Sequence, residues 1–408
     1  MIIIPFFIVV LLVFLCGALS AETATSPHEG NAVFASRASL KTGDKPDNDT
    51  TRKEIAVEAK EDPPVVDMSA LKKLSQVIES VSGKKIVYVG EYHDNYAHHN
   101  VQLEVIKGLY RKNKRQAIGM EMFQRPFQKV LDDYIKGDMD EREFLRRSEY
   151  FGRWRFDYNL YKPILDFARA EKVPVIALNQ RKEIVEKVAK LGLEGLTPEE
   201  KREIPEQLDF SDKAYKEKLK EVFALHTMGS NGKFDFFFQS QVLWDETMSQ
   251  SIDDFFRGNP DFRKDGRMVV LAGVGHLAFG SGIPKRTHRR NGYDYAVILN
   301  DKDIEKDIAD YIVQPKHIEG ETSPKLMVAL KEDEKKGPVI TGFPENSVSE
   351  KAGLRTGDVI VSFDGNKVGS MEDLRLELFF KKKGDTAKVK VLRKVLFWDL
   401  GKEFEVKL

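Results

Sequence analysis

Cysteine is almost absent from this 408-residue chain. Cys16 stands alone, so no internal disulfide and no cysteine metal cage can form. Net charge is missing too: 65 lysines and arginines face 65 aspartates and glutamates. That balance leaves no basic footprint and argues against a nucleic-acid partner. No lysine or arginine precedes the apolar run that opens the chain, MIIIPFFIVVLLVFLCGALSAET, whose first charge is Glu22. The run ends in small residues, Gly17, Ala18, Ser20 and Ala21. It reads as a secretory signal cut near Ala18 to Ala21, or as an uncleaved anchor that ties the N-terminus to a membrane. Both routes export the protein. Bulky Leu15 gives Cys16 a poor lipidation context, so the cysteine reads as part of the apolar run.

What is present is enough apolar residue, 41%, for a large core, and enough length for two or three domains. Residues 1–21 form the signal or anchor. Residues 22–66, rich in Thr, Lys, Asp, Glu and Pro, read as a flexible linker. From 67 to 310 apolar runs alternate with amphipathic helices: KKIVYVG, RQAIGMEMF, VPVIALN, RMVVLAGVGH and YDYAVILN are the strand candidates. This pattern predicts an α/β domain, a central sheet covered by helices. Residues 192–266 interrupt the rhythm and read as a largely helical insertion or cap, with one long amphipathic helix in DFFFQSQVLWDETMSQSIDDFF. A helix and a linker are expected over 301–323. From 324 to 408 short strands surround one helix, MEDLRLELFFKKK, which predicts a small, separate β-rich domain.

In open α/β sheets, ligands sit beyond the carboxyl ends of the strands. Glu91 and His93 follow the first strand, Glu121 closes the second, Asn179 the third and His276 the fourth. Two chemistries suit this set. Glu91, His93, Glu121 and His276 offer ligands for a divalent metal and a bound water. Alternatively, a histidine oriented by a carboxylate acts as a base, with Asp245 and Glu246 of the long helix as further catalytic candidates. The bland reading is a helix-capping glutamate and a structural histidine. Gly90 is expected to turn the chain, and Gly273 and Gly275 to permit close approach or positive φ. GVGH lacks the GxGxxG fingerprint of nucleotide binding. His98 and His99 open a helix, where they either bind a ligand or merely sit exposed.

Aromatic residues cluster in FGRWRFDYNLY and in the long helix. Trp154, Tyr158 and Trp244, with Arg153 and Arg155, are candidates for a wall that holds a large flat anion such as haem. Tyr92, Tyr96, Tyr150 and Tyr158 are available as iron ligands. Core packing explains each of these aromatics taken singly.

Five stretches, GEYHD, IGMEMF, VIALNQRKEIVEKVAKLGL, QVLWDETMSQSI and VVLAGVGHLAFGSGIPKR, resemble the ChaN-like family over about residues 70–300. That family is grouped with the Tiki proteases, the TraB proteins and the erythromycin esterases. The resemblance implies an exported protein of the bacterial periplasm, or one anchored facing it, that binds haem in iron uptake. It also implies haem held at a homodimer interface by tyrosine. The positions that match are Glu91, His93, Glu121, Asn179, Trp244, Asp245, Glu246 and His276. In the wider group a hydrolytic or metal site falls on Glu91, His93 and His276, which implies a cell-envelope protease or esterase as the alternative. The tail stretch GPVITGFPENSVSEKAGLRTGDVIVSFDGNKV resembles a PDZ domain. It implies capture of a peptide or protein C-terminus, with Leu326, Met327, Val328 and Ala329 at the carboxylate loop and Leu374 and Leu378 beside the side-chain pocket.

Overall fold

The structure, a computed structural model, describes residues 65–226, 233–395 and 398–408. The apolar run, Cys16 and nearly all of the expected linker lie outside the described residues. Among those described, no helix is long and apolar enough to cross a membrane.

The first domain is a six-stranded sheet of β1 (Ile86–Glu91), β2 (Gln116–Gln124), β3 (Val175–Asn179), β4 (Arg267–Gly273), β5 (Tyr295–Asn300) and β6 (Tyr311–Val313). The strand order is β3-β2-β4-β1-β5-β6, and every pairing is parallel. Parallel strands are buried on both faces, which is why β1, β2 and β4 are buried along their whole length and read as mostly apolar rather than alternating. The helices that frame the argument are α1 (Leu74–Ser80), α2 (Tyr96–Lys112), α3 (Gln128–Lys136), α4 (Glu141–Arg147), α5 (Tyr150–Arg153), α6 (Lys162–Glu171), α7 (Lys182–Leu191), α8 (Lys213–His226), α9 (Phe234–Gly258) and α10 (Ile283–Asn291).

Chain order reverses at the centre of the sheet. From β1 the chain runs outward to β2 and β3, whereas β4 returns between β2 and β1 and leads to β5 on the far side of β1. The carboxyl ends of β1, β2 and β4 therefore meet at the switch point where such sheets bind ligands.

Three expectations need correction. The long helix α9 is not a lid: Trp244, Met248, Ile252 and Phe256 pack against the sheet residues Tyr88, Met268 and Val270 in one core cluster. Phe237 and Phe238 close a smaller cluster with Tyr215, Leu219 and Val242 instead of lining a cavity. Residues 301–323 hold no helix; β6 pairs with β5 there. Gly90 lies within β1, not at a turn, because a side chain at that position would meet Leu299 at 2.5 Å.

The second domain is antiparallel: β7 (Ala329–Asp333), β8 (Gly337–Gly342), β9 (Val359–Phe363), β10 (Asn366–Lys367), β11 (Thr386–Val395) and β12 (Trp398–Lys407), with α11 (Met371–Phe379) between β10 and β11. The order is β12-β11-β9-β8-β7, with β10 paired to β9. Strand β7 is an edge, and Ala329 and Lys331 on it are exposed. A buried bidentate pair, Arg393 Nε to Asp358 Oδ1 and Nη2 to Oδ2, both at 2.7 Å, ties β11 to the start of β9.

Candidate functional site

Glu91 ends β1 fully buried, and every oxygen it has is used. Oε1 accepts from His93 Nδ1 at 2.8 Å and from the Tyr161 hydroxyl at 2.9 Å. Oε2 accepts from Gln102 Nε2 at 2.7 Å and faces His99 Nδ1 at 3.1 Å. Burial alone would push the Glu91 pKa up, but His99 and His93 outweigh it and hold the carboxyl well below its usual range. His99 is pushed the other way. Burial lowers it, and the Glu91 carboxylate more than reverses that, so its pKa is raised. His99 Nε2 meets the His93 carbonyl at 3.1 Å while Nδ1 meets acceptors as well, an arrangement that only the doubly protonated ring satisfies.

The second half of the site comes from β2, β4 and α9. Strand β2 bulges against β3 between Met120 and Gln124, a local break that re-aims side chains. Glu121 sits in that break, with Oε2 accepting the Gly273 N–H at 2.7 Å. Asn179, at the end of β3, donates to the Glu121 carbonyl at 2.8 Å and fixes the bulge. His276, just past β4, donates Nδ1–H to Asp245 Oδ1 at 2.7 Å. Asp245 Oδ2 takes the Tyr215 hydroxyl, and the Trp244 ring meets His276 edge-on at 4.9 Å. Burial lowers the His276 pKa, but Glu121 and Asp245 raise it above its ordinary value.

The two halves converge on one point. A Cβ at Gly273 would lie 3.0 Å from His93 Cε1, 3.1 Å from His93 Nε2 and 3.7 Å from Glu121 Oε2. Close approach, not positive φ, is the reason for this glycine. His276 Nε2 lies 3.5 Å from Glu121 Oε1, and both atoms are buried with no hydrogen-bond partner. Both imidazoles thus spend Nδ1 on a carboxylate, and His276 presents Nε2 toward Glu121 while His93 Nε2 lies beside Gly273. Such an arrangement fixes tautomers and can hold or pass a proton.

Not every expected residue joins. Glu246, one position from Asp245, points to the far side of α9, where Arg289 at 2.7 Å and Arg290 at 2.6 Å hold it with Arg286. It is a structural ion-pair hub. The expected metal quartet of Glu91, His93, Glu121 and His276 does not form either. Among the described residues no three His, Cys, Asp or Glu side chains are gathered to hold a metal, since each Nδ1 and the whole Glu91 carboxylate are committed to protein partners. His98 and His99 are internal, His98 accepting the Tyr92 N–H and bonding Asp301 at 2.8 Å.

The aromatic wall is likewise core. Trp154 and Tyr158 are 5% and 0% exposed, and Trp244 3%. Arg153 is engaged by Gln124, Glu149 and Glu183, and Arg155 is exposed. Burial, with Asp303 and Asp301 nearby, pushes the Tyr92 phenol up, against the tyrosinate form. Tyr96 lines an open depression of about 500 Å³, which His317 shares, and Arg153 lines a second one at the seam with the tail domain. Sequence reading missed His317, Tyr215 and Gln102. Only Gln102 carried a signal, one helical turn after His99.

In the tail, Leu326 and Leu374 are buried in the domain core, with Val328 and Leu378 packed on it. Met327 adopts φ +53°, and Ser349 and Ser347 hydroxyls bond the Leu326 and Met327 carbonyls. A trans peptide puts N–H opposite C=O, so the Met327 and Val328 amides point away from those serines.

A family model described as haem-binding uptake, Tiki superfamily, ChaN, matches residues 77–287, just over half of the chain. The chain belongs to the ChaN family. A PDZ domain model matches residues 324–408. Among curated proteins, the ChaN chain is 24% identical over 242 residues to Protein RETICULATA-RELATED 5, chloroplastic, of Arabidopsis thaliana, covering 55% of this chain and 32% of that one. It is 28% identical over 149 residues to a probable periplasmic serine endoprotease DegP-like of Chlamydia muridarum, covering 35% and 28%. The chain therefore spans about a third of the length of these relatives. Among solved structures, ChaN of Campylobacter jejuni with cofacially bound haem is 16% identical with a TM-score of 0.47, over 59% of this chain and 91% of that one.

Proposed function

We propose that this ChaN protein binds haem in the cell envelope and captures peptide C-termini through its PDZ domain. The family match over residues 77–287 is the observation that carries the haem reading. The donor set fits: Tyr96 and His317 share the open depression beside Asp94, and phenolate and imidazole are both ligands that haem iron accepts. Tyr96 or His317 would hold the iron, and bound haem would supply a redox-active iron centre. Asp94 and Glu319 also line the depression. A homodimer that covers the open side accords with the family pattern. Export to the periplasm, cleaved or anchored, rests on the apolar run at the N-terminus. For the PDZ domain, the free edge of β7 and the outward amides of Met327 and Val328 suit a terminal carboxylate and an added strand.

Haem titration of the chain from residue 22 onward tests the main reading. A saturating Soret band should survive gel filtration, and Tyr96→Phe combined with His317→Ala should abolish that retention. Equal retention in the double variant would refute the assignment of these ligands, and no retention in the unaltered chain would refute haem binding.

A second reading has its own support in the unpartnered His276 Nε2 and Glu121 Oε1. One imidazole would take a proton from water as its oxygen attacks an acyl carbon, and the other would return a proton to the leaving group. Ester and peptide hydrolysis that survives unchanged in both Glu91→Gln and His276→Asn would discard this reading.

A further inference from the structure

Helix α11 is packed on two sides at once. Leu374 and Leu378 turn into the PDZ domain next to the proposed peptide groove. Leu376 and Phe379 instead join the main hydrophobic core of the ChaN domain. Polar contacts lock the seam: Arg375 Nη1 donates to the Phe151 carbonyl at 3.1 Å, and Glu377 takes Arg142 at 2.5 Å and Asn366 at 2.8 Å. Phe379 meets Tyr158 edge-on at 5.3 Å and Phe151 at 6.2 Å.

The segment that receives α11, residues 150–161, has its other side against the acid–histidine cluster. Trp154 stands edge-on to His93 at 4.8 Å, and Phe156 packs on the same imidazole at 5.1 Å. The Tyr161 hydroxyl bonds Glu91 Oε1 at 2.9 Å. Glu149, just before this segment, has φ +52°, and Arg155 within it has φ +71°. Left-handed backbone at non-glycine residues persists only where the surroundings hold it, so the segment is held in place by both neighbours.

We propose that peptide occupancy of the PDZ groove and the state of the Glu91–His93 site are coupled through α11 and residues 150–161. The proposal rests on the peptide-capture reading. A peptide entering beside β7 meets α11 at Leu378, which packs, like Leu330 of β7, on the edge of the PDZ core. That helix cannot shift without repacking Phe379 on Tyr158 and Phe151, and these belong to the same short segment as Trp154 and Tyr161. Packed interfaces respond by switching between arrangements, not by yielding smoothly. Coupling of this kind is reciprocal, so a change at His93 must alter peptide affinity by the same factor that the peptide alters the site.

The test uses the full chain, with nitrogen-15 in its histidine rings and backbone. Arg375→Ala and Phe379→Leu perturb the seam from the PDZ side. Each should shift the His93 ring resonances while leaving those of His288, which lies on α10 away from the seam, unchanged. Superimposable His93 resonances in both folded variants would overturn the link. A decapeptide with a free, apolar C-terminal residue is then titrated, with its amidated twin as control. The free peptide should move β7 amides and the His93 ring along one binding curve, and His93→Gln should change its affinity about fivefold or more. Shifts confined to β7 would overturn the coupling. No shift at β7 would overturn peptide capture itself, while the seam variants would still decide whether helix and site are linked.

Discussion

Asp245→Asn isolates the charge in the His276 pair while keeping its shape. The buried carboxylate accepts His276 Nδ1–H at 2.7 Å and the Tyr215 hydroxyl on its other oxygen. Asparagine can keep both contacts: Oδ1 accepts from His276, and Nδ2 donates to a hydroxyl that rotates to accept. Only the negative charge is lost. A hydrogen bond to a charged partner contributes roughly 1.5–3 kcal/mol, against about 1 for a neutral one, so the variant should lose about 0.5–2 kcal/mol when His276 is protonated. The pH window follows from linkage. Because the folded-state pKa of His276 is raised above 6.5, the stabilisation is fully present below that value and is lost as pH rises through the folded pKa. Urea unfolding of the α/β domain at pH 5.5 should therefore show the loss, and unfolding well above the folded pKa should show a smaller one or none. The His276 ring should also titrate lower in the variant than in the unaltered chain. An equal stability loss at both pH values, with His276 titrating unchanged, would refute the reasoning.

Three further outcomes are expected. Glu246→Ala removes the shared counter-charge of Arg286, Arg289 and Arg290, and should destabilise the domain by about 3–5 kcal/mol without altering haem retention in the folded fraction, as measured by urea melts and Soret titration. Gly273→Ala keeps an ordinary φ of −60° but puts a methyl 3.0 Å from His93 Cε1, so the imidazole must give by a few tenths of an ångström. The stability cost should be about 1 kcal/mol, while the His93 ring resonances move clearly. Asp358→Ala leaves Arg393 buried beside β9 without its bidentate partner and should unfold the PDZ domain first, by about 3 kcal/mol, seen as an early separate transition in thermal melts.

The sheet was legible because buried parallel strands leave uninterrupted apolar runs, and β1 through β5 each fall within a run of that kind. Chain order within the sheet was not legible, since nothing local tells β4 to insert between β2 and β1. The same limit divides the site residues. Glu91, His93 and His276 were visible as polar residues at strand ends, whereas Glu121, expected to close β2, lies inside it, three residues before its end. Asp245 could be suspected from acids on an apolar helix, but its neighbour Glu246 looked the same. Only the rotation of α9 against the sheet separates the residue that orients His276 from the one that binds three arginines. The aromatic segment 150–161 misled for a related reason. A buried wall between two domains and an exposed wall for a flat ligand use the same residues, and the difference lies in Phe379, more than two hundred positions away. Strand β6 is only three residues long and half-buried, too short for a pattern.

Electrostatics explains why the site has to be built from so many elements. Glu91, Glu121 and Asp245 place three carboxylates in a fully buried volume, where an unpaired charge would cost several kcal/mol. One strand cannot neutralise them. The His99 ring, from α2, balances Glu91, and His276, from the turn after β4, lies between Asp245 and Glu121. Hydrogen-bond donors from α6, α8 and the loop before them complete the shell: Tyr161 precedes α6, and Tyr215 belongs to α8. His93 is left as the group whose Nδ1 is fixed and whose Nε2 meets the convergence point at Gly273. His276 Nε2, 3.5 Å from Glu121 Oε1, and His93 Nε2, beside Gly273, therefore face a common point at the end of β4.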